Sequence, residues 1–161
     1  MGFIKCVGYI IVLGAVNFLM GRLLPKKWFH YDAFPFRSFA FEREGKLYDK
    51  LKIKQWQNKV PDMSRIFVKL MPAKRIMGRP DQATLTVMLQ ETCVAEAVHW
   101  GLSVAGLLCL RLWRGLWGVV FYLAYFLLGN LPFIIIQRYN RPRLAGLLLR
   151  MQERNKPITE V

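Results

Sequence analysis

The stretch from Leu116 to Ile136 runs for twenty-one residues without a charged side chain. That length and composition leave few folds open. In lipid every backbone N–H and C=O must find a partner inside the chain, so such a stretch spans as a helix. Two further apolar blocks, Val7–Met20 and Val94–Leu110, sit elsewhere in the chain. The three blocks predict an all-α integral membrane protein with about three transmembrane helices.

The remainder is strongly basic. The chain has 161 residues, 54% of them hydrophobic, with 24 Lys and Arg against 10 Asp and Glu, a formal net charge of +14. Soluble domains rarely combine such apolar content with such basicity. An anionic leaflet or an anionic substrate suits that balance. A nucleic-acid role is not supported, because no zinc, helix-turn-helix or RNA-binding signature is present. Cys6, Cys93 and Cys109 are odd in number, lie in or beside apolar segments and form no CxxC spacing. They read as small apolar fillers rather than as a disulfide or zinc set.

Residues 1–161 are expected to form a single membrane domain, with spans at about 3–24, 92–112 and 116–137. The first block has the look of a signal-peptide core. No small-x-small cleavage site follows it, however, and an uncleaved anchor fits better. Trp28, Phe29 and Tyr31 form an interfacial aromatic cluster after it. Residues 25–90 are the basic, partly interfacial region. Within it, Phe34–Glu42 alternates aromatic and polar residues, which predicts a short strand or an extended segment. Glu44-Gly45-Lys46 signals a turn. Leu47–Lys59 reads as a helix with Leu47, Leu51 and Trp56 inward, ended by Pro61-Asp62. Met63–Leu70 reads as a further short helix, and Gly78-Arg79-Pro80 as a break. Asp81 is a candidate N-cap for a helix from Gln82 to Leu112.

Arg111–Leu116 is a tight loop flanked by the belt residues Trp113 and Trp117, and Pro132 predicts a kink. Residues 143–156 read as an amphipathic tail lying on the surface, with Leu144, Leu147 and Leu148 beside Arg143, Arg150 and Arg154. About fifteen Lys and Arg fall between residues 22 and 90 and six after Gln137, against Lys5, Arg111 and Arg114 at the other end of the spans. The positive-inside rule then places the N-terminus outside and the C-terminus in the cytoplasm of a multi-pass cell-membrane protein.

Two polar motifs should meet at one membrane face. Glu91-x4-Glu96-x2-His99-Trp100 opens the second span, and Gln137-Arg138-Tyr139-Asn140-Arg141-Pro142-Arg143 closes the third. At about 1.5 Å per residue, Thr92 to Trp113 and Trp117 to Arg138 each cover about 30 Å. Glu96 and His99 then lie slightly deeper than Arg138. Ionisable groups at that depth are costly and mark function. Glu96 and His99 are i, i+3 neighbours, with Glu91 on the other side of the imidazole. A carboxylate beside His99 would fix its tautomer and raise its basicity, as a general base requires. Glu-x-x-His is also half of a di-iron motif, but His30 has no Glu three residues before it. Neither metal nor cofactor is expected.

Arg138, Arg141 and Arg143 offer bidentate contacts to phosphate or carboxylate, and Gln137 and Asn140 offer amides to sugar hydroxyls. Arginines at a span's end also act simply as a positive-inside stop. Pro142 predicts a turn at Arg141. Asn130 in the third span and Trp100 beside His99 complete the candidate substrate-binding set. No His-x4-Asp, Gly-x-Ser-x-Gly or P-loop occurs.

The chain resembles the glycosyl-4,4'-diaponeurosporenoate acyltransferase family of staphyloxanthin-type carotenoid synthesis. The residues that carry the resemblance are Phe36-Arg37-Ser38-Phe39 with Phe41-Glu42, Gly45-Lys46, Lys54-x-Trp56 with Lys59, the Glu91–Trp100 motif, and Asn130-x-Pro132 followed by Ile134–Leu144. It covers about residues 25–150, and Gln137–Leu144 is its most specific part. It implies transfer of a fatty acyl chain to a hydroxyl of a membrane glycolipid.

The sequence thus reads as a membrane O-acyltransferase. His99 is the base, Glu96 and Glu91 orient it, and Gln137, Arg138, Asn140, Arg141, Arg143, Trp100 and Asn130 hold substrate. Its partners would be membrane lipids, a glycolipid acceptor and an acyl donor, whether acyl-carrier protein, acyl-CoA or phospholipid. The broad apolar faces leave room for a homo-oligomer. A non-catalytic adaptor for anionic lipid or a partner enzyme, and a lipid hydrolase, are the rival readings.

Overall fold

A computed structural model describes residues 1–60 and 80–155 of the chain. The expectations placed on Pro61-Asp62, Met63–Leu70 and Gly78-Arg79 lie outside those residues. The elements are α1 (Gly2–Leu23), α2 (Ile53–Trp56), α3 (Gln82–Gly106), α4 (Cys109–Leu112), α5 (Leu116–Ala124) and α6 (Leu131–Arg154), with 3₁₀ turns at Lys26–Trp28, Ala40–Leu51 and Gln57–Lys59. No strand occurs among the described residues. Phe34–Glu42 passes through turns into 3₁₀ geometry instead of pairing.

Three helical stretches, Gly2–Gly21, Gln82–Leu112 and Leu116–Arg154, are long and apolar enough to cross a membrane. The fold is an all-α membrane fold. α1 stops at Leu24, whose extended backbone (ψ 125°) is what a residue before proline prefers, and Pro25 follows. Asp81 caps α3, its carboxylate accepting from the Thr84 N–H at 2.8 Å. Gly115, at φ 94°, makes the tight return into α5; a side chain there would be strained.

α3 and α6 pack side by side as an antiparallel hairpin, and α1 lies along α3. Phe3 packs edge-on against Trp113 and Phe121, the Tyr9 hydroxyl donates to the Ala105 carbonyl at 2.9 Å, and Lys26 pairs with Glu91 at 2.6 Å. The N-terminus therefore shares an end with the α4–α5 turn. Most apolar side chains of α1 point outward, among them Ile4, Ile11, Val12, Leu19 and Leu23.

The packed core lies at the opposite end of the hairpin. Tyr48, Ile53 and Tyr139 form one buried cluster, and Leu85, Leu89 and Leu148 form another. The inward positions of the middle region are thus Tyr48 and Ile53, while Leu47 and Leu51 are exposed. The cause is the 3₁₀ winding, which shifts the face from the α-helical one assumed from sequence.

The two prolines of the third span act differently from one another. Pro142 does not turn the chain; α6 runs through it to Arg154. The residues after it pack on the start of α3 through Leu144 and Leu148 rather than leaving as a separate surface helix. At Pro132, where the sequence predicts a kink, the helix continues with a local change of winding. The helix widens into a π-turn over Tyr125–Asn130 immediately before it, where Pro132 withholds the N–H that would meet Leu128.

Candidate active site

Side chains on a helix lean toward its N-terminus. In an antiparallel pair each set therefore leans toward the level of the other helix's end. Glu96 on α3 and Arg138 on α6 close a difference in height this way and meet between the helices. Arg138 donates from Nε to Glu96 at 2.8 Å, from Nη1 to both Glu42 oxygens at 3.0 and 3.1 Å, and from Nη2 to the Pro35 carbonyl at 2.8 Å. Arg141 donates from Nη2 to the other Glu96 oxygen at 2.6 Å and from Nε to the Thr92 hydroxyl at 2.9 Å. It also reaches the Phe36 carbonyl at 2.6 Å and the Thr92 carbonyl at 3.1 Å. Phe39 and Phe36 lie under the two guanidiniums, at 4.7 and 5.5 Å.

This layer holds two carboxylates and two guanidiniums, so its charge cancels. Glu42, Glu96 and Arg141 are 2%, 1% and 3% exposed. The remaining Glu42 contacts are the Phe39 N–H at 2.7 Å and the Tyr48 hydroxyl. Burial first, and then the bond to the Glu42 carboxylate, push the Tyr48 phenol far above its usual range. Arg143 stands apart: half-buried, it stacks on Tyr139 at 3.6 Å and pairs with exposed Asp49 at 2.6 Å.

His99 lies below the layer. Counting back from Leu112, and forward from Leu116 to Asn130, puts both residues about 20 Å from the turn, within a 30 Å hydrocarbon core. His99 Nδ1 is 3.1 Å from Asn130 Oδ1, and its ring stacks on Phe133 with centroids 4.5 Å apart and planes at 6°. Asn130 is 1% exposed and donates from Nδ2 to the Tyr125 carbonyl at 3.2 Å.

The structure thus regroups the sequence-predicted residues. Glu96 does not pair with His99; it serves two arginines, and Asn130 takes its place at the imidazole. Glu91 binds Lys26. Arg138 and Arg141 point into the protein. Asn140 donates to Gln57 at 3.4 Å, and Gln137 is half-buried. Trp100 is 46% exposed and, with Pro35, Phe36, Ala97, Glu96 and Arg138, lines a cleft of about 430 Å³. Sequence reasoning missed Glu42, Thr92 and the Pro35 and Phe36 carbonyls. The signal for Glu42 was present: two buried arginines need a second acid, and Phe36-x2-Phe39-x2-Glu42 supplies aromatic faces and a carboxylate together.

No solved structure matches the chain. Sequence relatives do exist. A glycosyl-4,4'-diaponeurosporenoate acyltransferase of Staphylococcus aureus strain N315 is 30% identical over 149 residues, covering 91% of this chain and 87% of the relative. That of strain Newman is 31% identical over 141 residues, covering 86% and 82%. The family profile of the same description matches residues 25–150, the part that contains the ionic layer, His99 and Asn130. The chain belongs to the glycosyl-4,4'-diaponeurosporenoate acyltransferase family.

Proposed function

We propose that this membrane acyltransferase moves a fatty acyl chain to a sugar hydroxyl of a membrane glycolipid, with His99 as general base. The relatives' name specifies acyl transfer and a glycosyl acceptor. The observation that carries the proposal is the setting of His99. It is an imidazole at apolar depth, pinned by a neutral amide and an aromatic ring, and its chain neighbour Trp100 lines a cleft of about 430 Å³. In the step, His99 takes the proton of the sugar hydroxyl and the oxygen attacks the acyl carbonyl. The tetrahedral intermediate collapses, and the departing thiolate or alkoxide recovers the proton from the imidazolium. Acyl-carrier protein, acyl-CoA and phospholipid all present such a carbonyl.

Glu96 and Glu91 contribute here through the fold: Glu96 clamps α3 to α6 directly above the base, and Glu91 fixes the end of α1. Trp100 offers the acceptor an aromatic face at the cleft mouth. Arg143 is the arginine best placed to exchange a partner, because its pair with exposed Asp49 is a weak surface bridge. Asn140 lies three residues before Arg143 on the same helix. The N-terminus lies outside and the basic region faces the cytoplasm, where those donors are made.

The test is acyl transfer in membranes, read by mass spectrometry of the lipid product. His99→Ala is expected to abolish product while expression stays normal; full activity in that variant would overturn the base assignment. Release of free fatty acid without any dependence on added glycolipid would instead favour a hydrolase.

A further inference from the structure

We infer that Asn130 is the positioning residue that fixes the His99 tautomer, through the π-turn in which it sits. The inference rests on His99 acting as base and deepens that reading. A neutral imidazole carries its proton on either nitrogen, and only the other nitrogen can accept one. Which nitrogen is free depends on what faces Nδ1.

The geometry answers that question in two steps. In an α-helix the Tyr125 carbonyl would face residue 129; in a π-turn the register is one residue longer, which brings it level with Asn130. The Asn130 side chain is there, with Nδ2 3.2 Å from that carbonyl. An oxygen in that place would set two acceptors against each other in a buried site, so the amide has one allowed orientation. Its Oδ1 then faces His99 Nδ1 at 3.1 Å. An amide oxygen only accepts, so Nδ1 carries the proton and Nε2 holds the free lone pair. The Phe133 ring, parallel to the imidazole, keeps the ring from turning out of this plane. The π-turn, the amide and the stack act as one device.

The direct measurement is the nitrogen NMR spectrum of ¹⁵N-histidine-labelled full-length protein in micelles, above the pH at which imidazole is neutral. The chain has two histidines, and exposed His30 can be changed to Gln to leave one signal. Wild-type His99 is expected to show a protonated Nδ1 and an unprotonated Nε2. Asn130→Ala is expected to move the proton to Nε2, the form a solvated histidine side chain prefers in water, and to lower acyl transfer at least about tenfold. Asn130→Asp, with the proton of its carboxyl donated to the Tyr125 carbonyl, keeps an acceptor toward Nδ1 and is expected to restore the wild-type tautomer and much of the activity. A wild-type spectrum with the proton on Nε2 overturns the inference. So does an Asn130→Ala protein with unchanged tautomer and full activity. His99→Ala separates the two ideas: if it alone retains activity, the base assignment fails, whereas the tautomer result stands or falls on the spectrum.

Discussion

A guanidinium has five N–H donors in a fixed fork, and burial demands an acceptor for each direction. Arg138 and Arg141 meet that demand with Glu42, Glu96, Thr92 and two loop carbonyls. These residues therefore weld the middle region to the hairpin. Removing one partner strands a buried charge, which costs about 3–5 kcal/mol. Arg141→Ala and Glu96→Gln should each lower thermal stability in detergent by amounts of that order, and the double variant should lose clearly less than their sum. Arg141→Lys should not restore the wild type, because an ammonium cannot span Glu96, Thr92 and Phe36 together. Sequence alone named His99, Asn130, Glu96 and the arginines but paired them wrongly. Spacing on one helix reports neighbours i, i+3, and so favoured Glu96 with His99. The actual partners lie across the hairpin, 31 and 42 residues apart, and no local periodicity encodes them.

At the level of elements, the segment Ala40–Leu51 is held by a close approach rather than by regular geometry. Gly45 has φ 86°, and a methyl group built on it would stand 3.0 Å from the Pro142 ring and 3.1 Å from Arg143 Nη1. Gly45→Ala combines the left-handed penalty, about 1–2 kcal/mol, with that contact. The expected result is weaker docking of the segment on α6, seen as faster proteolysis near residues 43–50 in micelles while the helical circular dichroism is kept. The turn at Gly45 was readable from sequence. The 3₁₀ winding that turns Tyr48 inward was not, because it follows from docking Glu42 onto Arg138. Pro142 misled for a similar reason: the bias against a helix at Arg141 is small beside the bonds that Arg138, Arg141 and Arg143 make on either side of it.

For the whole molecule, three apolar blocks and a tight Arg111–Leu116 loop were enough to read the architecture, since lipid leaves so few backbone solutions. The same reading gives a sidedness that can be checked. The native cysteines are buried, so introduced ones report alone. Arg114→Cys should react with a membrane-impermeant maleimide in intact cells, and Lys46→Cys only after lysis; the reverse pattern would invert the topology. Extent was less legible. The third helical stretch continues to Arg154, so the hairpin stands well clear of a 30 Å core and carries its packed end above the lipid.

The site is built almost wholly by α3, α6 and the segment between α1 and α3, whereas α1 touches the hairpin at few points and otherwise faces outward. That asymmetry makes bilayer thickness act unequally on the two parts. A thicker or thinner membrane is met by tilting a span, and that demand falls first on α1, whose outward face meets the lipid, while the clamped pair keeps its register. Turnover should then hold nearly constant across lipids of different chain length, as in a lathe whose bed is bolted down and whose guard rail floats.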